Sequence, residues 1–164
     1  MATETTVGML RDTKGIEVSV IKFQLRPLTE PVHNPEPRVW IKAKPEPWYK
    51  NPSPHLNAEM AEQVIEWLIE AGAVPQEPPV EEGHTERGFS YWTPFPDASG
   101  HEVWGQESSA AGRPCCWVFT DGAASPNLTL EQAGQLVLCL RAFVADSRDE
   151  NNWRNDPGYI ENWG

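Results

Sequence analysis

The sequence predicts one α+β domain, an antiparallel sheet of about five or six strands with two helices packed on one of its faces. Three observations predict it. Apolar residues alternate with polar ones in short runs at 5–25 and again between 89 and 120, the two-residue period of a strand. A helical period occurs in two windows only, 58–72 and 130–146. Short, turn-rich stretches join neighbouring strand candidates, which suits antiparallel pairing. A chain of 164 residues is long enough for one such domain to bury a core.

Thr5–Leu10 and Ile16–Leu25 read as a hairpin closed at Asp12–Gly15. The second strand changes phase, with Ile16, Val18 and Val20 on one face and Ile21, Phe23 and Leu25 on the other. Either both faces are partly buried or a bulge near Val20–Ile21 re-aims the side chains. Residues 27–54 hold eight of the 16 prolines, which excludes helix there. One strand, Arg38–Ala43, fits between them, and its flanking prolines predict an edge position.

Residues 58–72 predict the first helix, with Asn57 as N-cap and Gly72 as its stop. Met60, Val64, Trp67, Leu68 and Ala71 form the apolar arc, and Glu59, Glu62, Glu66 and Glu70 lie opposite. Residues 75–86 are an acidic, proline-rich loop. Phe89–Thr93, His101–Gln106 and Cys115–Thr120 predict an antiparallel meander, in which Trp117 and Phe119 share a core face. The second helix, 130–146, opens with a capping box of Thr129 and Gln132 and buries Ala133, Leu136, Val137, Leu140 and Val144. Domain 1–148 is then followed by a polar and aromatic tail, 149–164.

Charge narrows the function classes. The formal net charge is −11, and residues 51–86 carry eight glutamates with no Lys or Arg. Direct nucleic-acid binding needs clustered cations. The nearest cluster here, Arg38, Lys42, Lys44 and Lys50, is interrupted by Glu46. No apolar run is long enough to span a membrane. The first fifteen residues lack a basic segment followed by an apolar one, so no secretory leader is expected. Cytoplasmic location is the expectation, and Cys115, Cys116 and Cys139 are expected as buried, reduced thiols.

No nucleotide-binding, zinc-protease or hydrolase-elbow motif is present. His84, Glu86, His101 and Glu102 carry metal-binding chemistry without metal-binding spacing, so neither metal nor cofactor is predicted. Asp97, Ser99 and His101 sit too close in one loop for a hydrolytic triad and read as a turn. Trp48 is expected to pack against its neighbouring prolines.

The glutamate stripe is the unusual feature, because like charges four residues apart repel each other along a helix. The sequence therefore predicts a non-enzymatic interaction module, an acidic inhibitor or accessory protein of the immunity or anti-defence kind. It would meet a basic surface of a partner protein, nucleic-acid mimicry being one form of this. Its candidate binding residues are Glu59, Glu62, Glu66 and Glu70, with Trp153, Tyr159 and Trp163 of the tail. The alternative is a small enzyme or ligand-binding domain whose pocket gathers Trp92, Trp104, His101, Glu102 and Asp121.

Overall fold

Alternation from Ile16 onward leaves one face of a strand apolar, and the structure, a computed structural model, buries that face under two helices. It describes residues 2–25, 37–75, 82–84, 90–92, 94–110 and 113–148. In chain order these form β1 (Ala2–Arg11), β2 (Glu17–Leu25), β3 (Arg38–Ala43), β4 (His55–Leu56) and α1 (Ala58–Glu70). There follow β5 (Glu82–His84), β6 (Ser90–Trp92), β7 (Phe95–Pro96), β8 (Glu102–Ala110), β9 (Arg113–Thr120), β10 (Asn127–Thr129) and α2 (Leu130–Ser147).

The α+β class with two helices is as predicted, but the strands divide into two antiparallel sheets instead of one. The first runs β1-β2-β3-β10; the second runs β4-β9-β8-β6-β5, with β7 also paired to β8. The division falls in the chain between β3 and β4, where Pro45, Pro47, Pro52 and Pro54 remove backbone donors and prevent continued pairing. The three-strand meander holds within the second sheet, since β6, β8 and β9 pair in that order.

Asp12 closes the first hairpin by accepting hydrogen bonds from the backbone N–H of Lys14 (2.8 Å) and Ile16 (3.0 Å). Both explanations of the phase change in β2 operate. Thr6 pairs with Ile21 and Gly8 with Val20, so the extra residue is Val7 in the partner strand. Ile16, Val18 and Val20 are buried, and Ile21 and Phe23 are half-buried. At the bulge Gly8 has no Cβ to collide with the Trp67 indole of α1, which lies directly on it.

The edge position expected for β3 is corrected. Strand β3 lies between β2 and the three-residue β10, because its prolines flank the ladder without entering it. Its alternation holds, with Val39 and Ile41 fully buried.

Asn57 caps α1 by accepting from Met60 N–H at 2.9 Å. The helix ends where Gly72 takes φ 109°, with Ala73 N–H bonded to the Leu68 carbonyl and Gly72 N–H to that of Ile69. The apolar arc is broader than expected: Ala61 and Ile65 join Val64, Leu68 and Ala71 in the core, while Met60 and Trp67 are only partly buried. The cause is packing on two sides, since α1 meets both α2 and strands of both sheets. The capping box at Thr129 and Gln132 starts α2. Val144 is half-buried and Phe143 takes its place in the core, against Trp92. Gly105 of β8 allows α2 to approach, because a Cβ there would stand 3.6 Å from Cys139 Cβ and 3.1 Å from Trp92. One apolar cluster joins both helices and both sheets.

Candidate functional site

The acidic stripe survives folding on one side of α1, but one of its members is partnered. Glu59, Glu66 and Glu70 are exposed. Glu62 instead meets the Arg148 guanidinium at the C-cap of α2. That hydrogen bond holds the Glu62 carboxyl below the usual range and raises Arg148 in turn. The stripe thus has a nearby cation, contrary to the sequence reading, because the antiparallel helix contact brings the end of α2 across α1. Glu70 lies at the carbonyl end of α1, where no basic residue offsets the helix dipole.

Between the helices runs a groove of about 540 Å³. Glu62, Ile65 and Glu66 form its α1 wall, and Arg141, Val144, Ala145 and Arg148 its α2 wall. Ile69, one turn beyond Ile65 and Glu66, is 43% exposed, and Val74 past the helix end is 50% exposed. The face therefore combines carboxylates with accessible apolar surface. Trp153, Tyr159 and Trp163 lie outside the described residues.

The alternative pocket is not assembled. Trp92 is buried on the inner face of the second sheet, with its ring 6.5 Å from Phe143. Trp104 lies on the outer face, stacked with Phe119 at 5.4 Å. Pairing of Tyr91 with Gln106 sets this parity, placing Trp92 and Trp104 on opposite sides. His101, Glu102 and Asp121 do come together, in the open. His101 Nδ1 is 3.5 Å from Asp121 Oδ1, both side chains are half-exposed, and the same oxygen accepts from Glu102 N–H at 2.9 Å. Asp97 Oδ1 accepts from the backbone of Ser99 and His101, the turn chemistry expected of that loop.

Sequence reasoning missed His55. It stands on the two-residue β4, is 1% exposed, and places its ring between the Thr13 and Ser108 hydroxyls. Ser108 Oγ lies 2.6 Å from Nε2, Thr13 Oγ1 meets Nδ1, and Trp117 packs at 4.2 Å between ring centroids. Asp12 Oδ2 accepts from the His55 backbone N–H at 3.2 Å. Burial, with a smaller contribution from Lys14, pushes the imidazole down to about 4. A serine hydroxyl on an imidazole nitrogen has the form of a nucleophile and base. Here the base is weak, sealed, and oriented by a threonine where a hydrolase would place a carboxylate. The cluster is a clasp tying the first hairpin turn to the second sheet.

Trp117 and Phe119 share a face, but it is the half-buried outer one; Cys116 and Val118 face the core. Trp48, expected against prolines, is 67% exposed at the tip of the 46–49 turn. All three cysteines are buried thiols outside any disulfide. Burial raises the Cys116 thiol and pushes Cys139 up to about 12, so neither is an activated nucleophile. Among the described residues no group of three or more ligating side chains could hold a metal, the His84 and Glu86 side chains lying outside them. Among the same residues no helix is long and apolar enough to cross a membrane.

Comparison with known proteins leaves the reading to these residues: no family model, no curated protein and no solved structure matches the chain.

Proposed function

We propose that the chain is a non-enzymatic interaction module that receives a basic patch of a partner protein on the exposed face of α1. One observation carries the reading: Glu59, Glu66 and Glu70 remain exposed beside the accessible Ile69 and the groove to which Ile65 and Val144 contribute apolar surface. Carboxylates along the α1 side of this apolar surface suit a partner that presents Lys or Arg beside an apolar anchor, with Arg141 and Arg148 bounding the acidic side on α2. Apolar burial would supply much of the affinity, and charge would supply rate and register.

Withdrawal of Glu62 into its pair with Arg148 interrupts the row of negative charge. A compact basic patch therefore fits better than a site evolved for a phosphate backbone, where charge repeats without a break. An inhibitor or accessory role of the immunity kind agrees with such a surface.

The test is capture from a lysate of the native cell by the immobilised chain, with mass spectrometry of what is retained. Wild type should hold a partner with a basic surface. A Glu59→Gln, Glu66→Gln, Glu70→Gln variant should lose it while keeping the wild-type melting temperature. Equal capture by both chains contradicts the proposal.

A further inference from the structure

Two of the four cations that the sequence scatters around Glu46, Lys42 and Lys50, come together in the fold. β3 turns Trp40 and Lys42 to the outer face of the first sheet, opposite the buried Val39 and Ile41. The chain then makes a tight turn, with Glu46 and Tyr49 exchanging backbone hydrogen bonds at 2.8 and 3.1 Å, and returns Lys50 to the same neighbourhood. A pocket of about 230 Å³ lies there, completed by Pro45, Pro52 and the 123–125 segment.

We propose that this pocket is a binding site for a small organic carboxylate, whose charge meets Lys42 and Lys50 and whose apolar body rests against Trp40 and the two prolines.

Three observations support it. First, this chain has 24 acidic residues against 13 basic ones, yet the pocket lining contains two lysines and no carboxylate. Among the described residues neither lysine has an ion pair; Lys42 Nζ instead sits 4.8 Å from the Trp40 ring centroid. Second, the walls are braced. Ser125 Oγ accepts from Ala43 N–H at 2.9 Å and donates to the Pro52 carbonyl at 3.1 Å, tying β3, the proline segment and the 121–126 loop together. Prolines in two walls reduce the ordering that binding would otherwise demand. Third, the Trp40 indole N–H is buried without an acceptor. Its cross-strand neighbour Asn127 has an equally unmatched Oδ1, so the two do not satisfy each other. The pocket wall therefore carries an unmatched indole donor beside its two cations.

Volume sets the ligand class. The pocket holds the space of about seven or eight water molecules, below that of a drug-sized site. A short acyl or single-ring carboxylate fits, and a nucleotide does not.

The test is a titration of the ¹⁵N-labelled chain with benzoate, with the isosteric neutral benzamide and inorganic phosphate as comparisons. Benzoate should produce saturable shifts at the Trp40 indole N–H and the Ala123–Ser125 amides. Benzamide should bind those positions about tenfold more weakly, and a Lys42→Gln, Lys50→Gln chain should lose about tenfold for benzoate with its other resonances unmoved. Both lysines are at least partly solvent-exposed, so the double variant should keep the fold. Equal binding of benzoate and benzamide, absence of saturable shifts, or indifference to both lysines overturns the proposal. Phosphate binding tighter than benzoate would replace the carboxylate with a simple oxyanion and overturn it equally.

Discussion

His55 shows how much a single buried side chain can fix. Its ring joins Thr13 of the first hairpin turn to Ser108 of the second sheet, and its backbone N–H is held by Asp12. The folded imidazole is pushed from 6.5 to about 4, so between those values the unfolded chain binds more protons than the folded one. Its contribution is complete above pH 6.5 and is lost as pH falls toward 4. It amounts to about 3 kcal/mol at most. Urea unfolding across that range should show wild type losing this stability, and His55→Gln should lack that part of the slope. Parallel pH profiles would show that His55 is not the clasp described. Nothing in the sequence marks this histidine, because two residues of strand between Pro54 and the helix cap Asn57 display no period. The tryptophans teach a related lesson. Trp92 and Trp104 look alike in sequence, and only the pairing of Tyr91 with Gln106 sends one inward and the other outward.

Elements with many periods were legible, and short ones were not. Both helices, their caps at Asn57 and Thr129, the first hairpin and the three-strand meander follow from spacing and turn chemistry. β4, β7 and β10 have two or three residues each and exist because a longer strand beside them offers unpaired backbone groups. Two sheets could not be told from one, since alternation shows that a face is buried and not what covers it. Element packing yields its own prediction at Gly134. A Cβ there would overlap the Val74 carbonyl, where the chain leaving α1 crosses α2. Helix propensity alone favours Gly134→Ala by about 1 kcal/mol. The collision is with backbone that cannot rotate away, so the variant should be destabilised, by about 1–3 kcal/mol. A melting temperature equal to or above wild type would mean that the crossing is looser than described.

Across the whole molecule, opposite charges are gathered on different surfaces. The negative field is concentrated on α1, while the braced pocket beside β3 presents Lys42 and Lys50. The candidate face on α1 was legible from the glutamate spacing, but its partner Arg148 was not, because 86 residues separate it from Glu62. That pair also gives the account a test of sign. If the exposed carboxylates steer a basic partner, removing charge from α1 and adding it must act in opposite directions. The measurement is the association rate of the captured partner across a range of ionic strength, for wild type, the Glu59→Gln, Glu66→Gln, Glu70→Gln chain, and Arg148→Gln. The triple variant should associate more slowly with a flatter salt dependence. Arg148→Gln releases Glu62 and should associate faster, with a steeper one. Rates and salt slopes that stay the same in all three chains would show that the stripe is a solvated helix face and not a recognition surface.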